Sequence, residues 1–170
     1  MPAVTDLPAP AHAPPRWERW QPWVSTLVRL GLAAVALVAG FAKIGDLPGS
    51  VRAVRAYELL PETLAVLVGN ALPMVEIVVG LLLLAGLFTR AAAVVFGLLM
   101  VVFVAGIISA WARGLAIDCG CFGGGGQVAP GETAYLEDTL RDLLFVAGAV
   151  FLVRWPRTRA SLDRALALTD

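Results

Sequence analysis

Four long apolar runs follow one another along the chain, and polar segments separate them. The runs cover residues 24–44, 64–88, 91–111 and 140–155. The first three reach the length of about 20 residues that an α-helix needs to cross a bilayer. The fourth spans only about 24 Å at 1.5 Å per residue, so we expect it to begin within the preceding polar segment. Because lipid offers no hydrogen-bond partner to backbone amides, the pattern predicts four transmembrane helices.

The segments that flank these runs predict two tails and one short surface helix. Residues 1–22 contain six prolines, a density typical of a disordered tail. Residues 23–156 then form the predicted four-helix membrane domain, and residues 157–170 form a second tail. The first run is long for the core of a signal peptide, so we expect it to stay uncleaved. Between the first two runs, residues 48–62 predict an amphipathic helix lying on the membrane, with Ser50 as its N-cap.

Composition supports a membrane protein and excludes several other classes. Hydrophobic residues make up 59% of the chain and charged residues 15%, against about 25% charged residues in soluble proteins. The 13 basic and 13 acidic residues cancel, so no basic surplus or motif favours nucleic acid as a partner. Two cysteines and one histidine are too few for a structural zinc site, and we predict no metal. The predicted partner of the apolar surface is the lipid bilayer.

Charge asymmetry predicts the orientation. Four spans place both termini on the same side of the membrane, together with the turn at Thr89 and Arg90. That side carries more basic residues than the other, and basic residues prefer the cytoplasm. We therefore expect cytoplasmic termini in the plasma membrane, with the segment that holds both cysteines outside.

The cysteine segment is the most informative part of the sequence. Cys119 and Cys121 flank Gly120, which can adopt the unusual backbone angles of a tight ring. A disulfide in so small a ring is strained, and strained, exposed disulfides are oxidising and exchangeable. The glycines that follow are expected to let the loop present its sulfurs to a partner. A passive clip, a metal site shared between two copies and a pair of unlinked buried thiols remain alternatives.

Glu76 is the second unusual residue, because it lies roughly 18 Å into the second apolar run. A carboxylate at that depth is costly and is expected to face a partner or a wet cavity. Pro73 lies one turn earlier and frees a backbone carbonyl. Lys43 near the end of the first run is a candidate partner, whereas Arg29 could reach only with tilt. The position of Glu76 is compatible with two interpretations. One is a site for a proton or a quinone, and the other is a structural polar contact.

Arg141 and Asp142 open the fourth run, soon after the cysteines in sequence. They are candidates for the outer mouth of the bundle beside Cys119 and Cys121. The alternative is ordinary anchoring of a helix at the membrane interface.

Several short segments resemble the MauE family of the DoxX-like membrane proteins, over roughly residues 25–155. They are Arg29-Leu30-Gly31, Gly40-Phe41-Ala42-Lys43, Ala56-Tyr57-Glu58-Leu59-Leu60-Pro61, Leu72-Pro73-Met74-Val75-Glu76-Ile77-Val78-Val79-Gly80, Asp118-Cys119-Gly120-Cys121-Phe122-Gly123 and Arg141-Asp142. The resemblance implies an all-α, four-helix integral membrane protein. It also implies a link to methylamine utilisation, in which MauE proteins help to mature a disulfide-rich periplasmic dehydrogenase subunit. Related DoxX proteins are associated with thiol oxidation that delivers electrons to quinone.

The sequence thus predicts a membrane thiol–disulfide oxidoreductase. Cys119 and Cys121 would exchange with a thioredoxin-like protein or a disulfide-containing client, and quinone would accept the electrons. Glu76, Lys43 and Arg141 are the predicted contacts of the quinone or of a proton. The alternative is a non-catalytic membrane anchor or assembly subunit with a structural clip of two cysteines.

Overall fold

The computed structural model describes residues 16–129 and 131–166, which form six helices and one small hairpin. The elements are α1 (Arg16–Ile44), α2 (Leu47–Ala56), α3 (Glu62–Ala85), α4 (Thr89–Ala112), β1 (Ile117–Asp118), β2 (Gly126–Gln127), α5 (Tyr135–Arg154) and α6 (Leu162–Ala165). The two strands pair antiparallel. This hairpin was not predicted from the sequence.

Three of the helices are long and apolar enough to cross a membrane, namely α1 from Arg19, α3 and α4. The protein is therefore a helical, multi-pass membrane protein. The fourth predicted span corresponds to α5, which has 20 residues. Helix α5 is not among the helices that are both long and apolar enough to cross a membrane. Acidic and basic side chains occupy its first two turns, which separates α5 from the three more apolar helices.

The helices pack through small and branched side chains. Helix α1 lies against α3, and α4 lies against α5. Leu32, Leu83, Phe96 and Leu152 are among the buried residues of the common core. Many large apolar side chains instead face outward along the helices, as expected where lipid covers the surface.

The first helix begins earlier than predicted. It starts at Arg16 and includes Pro22, so the prediction of a disordered tail is wrong for residues 16–22. Tertiary contacts hold this turn, because the Gln21 amide donates to the Ser25 hydroxyl at 2.7 Å and Ser25 donates to the Trp155 carbonyl at 2.9 Å. The rest of the predicted tail, residues 1–15, lies outside the described residues.

The short helix α2 is held by a contact that the sequence did not reveal. Asp46 caps its start by accepting from the Gly49 amide at 2.9 Å, so the prediction of Ser50 as N-cap is wrong. The Ser50 hydroxyl instead donates to the Gly69 carbonyl at 2.7 Å. Pro73 has no N–H to give to that carbonyl, which is four residues earlier. Ser50 therefore satisfies the group that Pro73 frees and fixes α2 against α3.

The predicted second tail is partly folded. Residues 157–166 cross the end of the bundle where α1 starts and α5 ends, here called the terminal end; the opposite end, with the cysteines, is the cysteine end. Asp163 accepts from the Phe88 and Thr89 amides at 2.6 and 2.8 Å and so caps α4. Arg29 donates to the carbonyls of Leu83 at 2.9 Å and Ala160 at 3.2 Å. Residues 167–170 lie outside the described part of the chain.

Candidate functional site

The cysteine loop, residues 113–129, is folded tightly against α2. Gly120 has a φ of +67°, and a Cβ there would lie 2.8 Å from the Ala53 Cβ and 3.1 Å from the Gly125 Cα. Only glycine fits this combination of backbone angle and close approach. The glycine run therefore returns the chain to the hairpin, and the prediction that it gives the loop freedom is wrong.

Both cysteines are free thiols, and both are buried. Cys119 and Cys121 are 9% and 7% exposed, so the expectation of an exposed disulfide is wrong, and the alternative of two unlinked buried thiols describes the pair. The two sulfur atoms lie 2.9 Å apart, within hydrogen-bond distance. Tyr57 donates to the Cys119 carbonyl at 3.1 Å and ties the loop to the end of α2. A pair this close can close a disulfide through a small local movement.

The two sulfurs have different surroundings. The Cys119 sulfur accepts from the Cys121 amide at 3.4 Å and from Arg141 Nη2 at 3.7 Å. The Cys121 sulfur faces Asp142 Oδ2 at 3.8 Å. The hydrogen bond between the sulfurs lowers the pKa of Cys119. The same bond, and then burial, raise the pKa of Cys121.

Helix α5 supplies the charged groups around the sulfurs. Arg141 binds Asp142 Oδ1 through Nε and Nη2, both at 3.1 Å, and Asp138 Oδ1 through Nη1 at 2.7 Å. The Phe122 ring covers the guanidinium, with its centroid 5.0 Å from Arg141 Cζ. The structure therefore brings the predicted Arg141 and its neighbour Asp142 directly to the cysteine pair.

Asp118, Cys119 and Asp138 place potential metal-ligand atoms within 4.8 Å of one another. Arg141, however, already donates to Asp138 and to the Cys119 sulfur. A guanidinium at this position provides the positive charge that a cation would otherwise bring. The arrangement of the described side chains favours stabilisation of a thiolate over binding of a metal ion.

The other two predicted site residues form a separate pair next to the loop. Lys43 donates to Glu76 Oε1 at 2.6 Å and to the Cys121 carbonyl at 2.6 Å, and both charged side chains are 3% exposed. Glu76 Oε2 has no hydrogen-bond partner among the described residues. Of the two candidate partners, Glu76 thus binds Lys43, while Arg29 lies at the terminal end. The pair contacts the backbone of Cys121, whereas Arg141 contacts a sulfur.

Sequence reasoning missed Tyr57 as a direct contact of the cysteine loop, whereas it placed Asp142 with Arg141 beside Cys119 and Cys121. Tyr57 lies within a segment that carried the family resemblance, but its hydroxyl needs the folded loop to find its acceptor. For Asp142 the sequence did not say which of the two sulfurs it would face. The adjacent charges Arg141 and Asp142 at the start of an apolar run were the available signal.

A groove of about 390 Å³ opens beside the loop, between α2 and the hairpin. Its lining is polar and includes Arg52, Arg55, Glu58 and Gln127. A second groove, of about 240 Å³, lies between α4 and α5 and is lined by apolar residues such as Val94, Leu98 and Val150. Neither cysteine lines these two grooves.

Comparison with known proteins gives one match. A family model described as "Methylamine utilisation protein MauE" matches residues 21–154. No curated protein and no solved structure matches the chain. The matched range runs from within α1 to the end of α5 and includes both cysteines and the charged groups around them. Because it covers most of the sequence, the chain belongs to the MauE family.

Proposed function

We propose that this protein performs thiol–disulfide exchange at the cysteine end of its bundle and passes the electrons to a membrane quinone. Cys119 and Cys121 are the redox pair. The partner is a thioredoxin-like protein or a client that acquires disulfides. The family description names methylamine utilisation, so proteins of that process are the first clients to test.

One observation carries the proposal: two free thiols lie 2.9 Å apart, and a guanidinium nitrogen lies 3.7 Å from one of them. A purely structural cysteine needs no such charge, whereas a reactive thiolate is stabilised by a nearby cation. The burial of both sulfurs restricts access to them and favours a specific partner over small thiols in bulk solution.

The exchange balances in two steps. The client dithiol loses two electrons and two protons and becomes a disulfide, while the Cys119–Cys121 disulfide becomes two thiols. The thiols then return to the disulfide as a quinone takes up two electrons and two protons and becomes a quinol. Lys43 and Glu76 are the proposed polar contacts for protons or quinone on the membrane side of Cys121. Support comes from their contact with the Cys121 carbonyl and from the unpartnered Glu76 Oε2.

This function requires a defined orientation. We propose that α5 is the fourth span, that both termini are cytoplasmic and that the cysteine loop faces outward from the plasma membrane. Disulfides form and persist outside the cytoplasm, which makes that side the suitable place for exchange. The excess of basic residues at the terminal end supports the same orientation.

The test measures the redox state of the pair in native membranes. A bulky maleimide traps free thiols, with and without prior reduction, in cells that contain or lack quinone. We expect a disulfide in normal cells, accumulation of thiols when quinone is withheld, and recovery of the disulfide when a quinone analogue is added. The Cys119→Ser/Cys121→Ser double variant controls for background labelling.

A pair that keeps one redox state whatever the quinone supply would contradict the proposal. If the double variant inserted normally and retained partner binding and cellular function, the alternative of a non-catalytic anchor or assembly subunit would hold. Crosslinking of the double variant to its partners makes that comparison direct.

A further inference from the structure

The two sulfurs of the pair are chemically unequal, although they are separated by one residue. Two donors contact the Cys119 sulfur, the Cys121 amide at 3.4 Å and Arg141 Nη2 at 3.7 Å, and carboxylate oxygens of Asp118 and Asp138 also lie within 4.8 Å of it. A carboxylate oxygen, Asp142 Oδ2, faces the Cys121 sulfur at 3.8 Å. Donors stabilise a thiolate, whereas a carboxylate stabilises a thiol and can take its proton.

From this asymmetry we infer that Cys119 is the thiol that exchanges with the partner, that Cys121 is the resolving thiol, and that Asp142 accepts the proton of Cys121. The inference rests on the proposed function and assigns a role to each atom of that site.

Asp142 is well placed for proton transfer. The residue is 1% exposed, so its carboxylate has little access to water. Oδ1 is bound twice by Arg141, which leaves Oδ2 facing the thiol of Cys121. The ion pair with Arg141 fixes the Asp142 carboxylate, so Oδ2 already faces the Cys121 thiol and need not rotate before it accepts the proton.

Other charged groups near the sulfurs do not fit the same role. Asp138 accepts a hydrogen bond from Arg141 through Oδ1. A carboxylate oxygen of Asp138 lies within 4.8 Å of the Cys119 sulfur, in a cluster that does not include Cys121. Lys43 contacts the Cys121 carbonyl and is already bound to Glu76. Tyr57 donates to the Cys119 carbonyl and leaves its sulfur untouched.

The steps follow with bonds and protons balanced. When the pair is reduced, the Cys119 thiolate attacks a partner disulfide, forms a mixed disulfide and releases one partner thiolate. Cys121 transfers its proton to Asp142 and attacks the Cys119 sulfur. The mixed disulfide breaks, the second partner thiolate leaves, and the Cys119–Cys121 disulfide forms. Client oxidation is the reverse sequence, in which Asp142 returns the proton to the departing Cys121 sulfur.

The aromatic disulfide 5,5′-dithiobis(2-nitrobenzoate) tests both assignments on the full-length reduced protein. Attack by Cys119 releases one coloured thiolate, and resolution by Cys121 releases the second, so the two steps appear as two phases. We expect Cys121→Ser, which retains Cys119, to react at least about tenfold faster than Cys119→Ser, which retains Cys121.

Variants of α5 separate the two phases further. Asp142→Asn is expected to slow the second phase at least about tenfold while leaving the first largely unchanged, because it removes the proton acceptor but preserves the shape of the side chain. Arg141→Gln is expected to slow the first phase. Glu137→Gln, on the exposed face of the same helix, is the matched control and should change neither phase.

Faster reaction of Cys121 than of Cys119, or a second phase that is insensitive to Asp142→Asn, would overturn the inference. So would a wild-type pair that never releases the second thiolate. The proposed function fails by a different result, namely a redox state of the pair in native membranes that does not respond to the quinone supply.

Discussion

Lys43 on α1 and Glu76 on α3 form an ion pair buried inside the bundle, with Nζ and Oε1 2.6 Å apart. The same ammonium group donates to the Cys121 carbonyl. One lysine thus joins two helices and fixes the backbone of the second cysteine. Neutralisation within the pair allows both charges to lie at this depth.

Loss of one partner of this pair should be strongly destabilising. Glu76→Gln leaves the Lys43 ammonium buried without its counter-charge, and we expect the free energy of unfolding to fall by about 3–5 kcal/mol. Thermal unfolding in detergent measures the change. Glu62→Gln breaks the exposed Arg55–Glu62 pair instead and should cost less than about 1 kcal/mol. Equal effects of the two variants would show that the buried pair contributes no more than a surface pair.

The backbone of the cysteine loop should tolerate no side chain at Gly120. Gly120→Ala adds a methyl group against Ala53 and Gly125, and it also forces alanine to a φ of +67°. Gly124→Ala is the matched control, because its φ is +70° but its new Cβ would meet only an Asp118 oxygen, at 3.9 Å. The control should carry only the backbone cost of about 1–2 kcal/mol. We expect Gly120→Ala to lower the melting temperature further and to slow disulfide closure, measured by maleimide trapping.

The capping of α4 by Asp163 should contribute to stability. Asp163→Ala removes the acceptor of the Phe88 and Thr89 amides, and we expect a loss of about 1–2 kcal/mol. Arg164→Ala changes the exposed neighbouring residue and should have little effect on the melting temperature. If truncation before residue 157 proved no less stable than the full chain, the folded tail would have no part in holding the bundle.

Reactivity of the reduced pair should extend to unusually low pH. The hydrogen bond shared by the two sulfurs lowers the pKa of Cys119 below its ordinary value, which is about 8.5 for a free cysteine. The thiolate is the reactive form, so the alkylation rate is expected to hold its plateau to a lower pH than for an ordinary cysteine and to fall as the pH drops through the lowered pKa. Iodoacetamide kinetics across pH measure the midpoint. Arg141→Gln should shift it upward, and a wild-type midpoint above 8.5 would contradict the assignment.

The proposed orientation gives a labelling pattern. In the Cys119→Ser/Cys121→Ser background, Glu132→Cys should react with an impermeant maleimide in intact cells. Arg90→Cys should react only after the cells are permeabilised, because the turn between α3 and α4 faces the cytoplasm in the proposed topology. The reverse pattern would place the cysteine pair in the cytoplasm.

The sequence could predict the long helices because apolar runs of membrane length have few alternatives. It also supplied Cys119, Cys121, Lys43, Glu76 and Arg141 as the residues of interest. It could not predict that the Ser50 hydroxyl donates to the Gly69 carbonyl, which Pro73 leaves without its helical donor. The two helices concerned, α2 and α3, come into contact only in the folded chain. The burial of the sulfurs was considered only as an alternative, for a related reason. A run of glycines is compatible with a flexible loop and with a tight one, and only the contact with Ala53 decides between them.

Arg29 has consequences for the order in which the protein is assembled. Two of its hydrogen-bond acceptors are the backbone carbonyls of Arg159 and Ala160. The ribosome adds these residues about 130 positions after Arg29. During biogenesis the first helix therefore enters the membrane with a guanidinium whose bonds are incomplete. The bundle can close at its terminal end only after residues 157–163 have left the ribosome, so this closure is a late step of assembly.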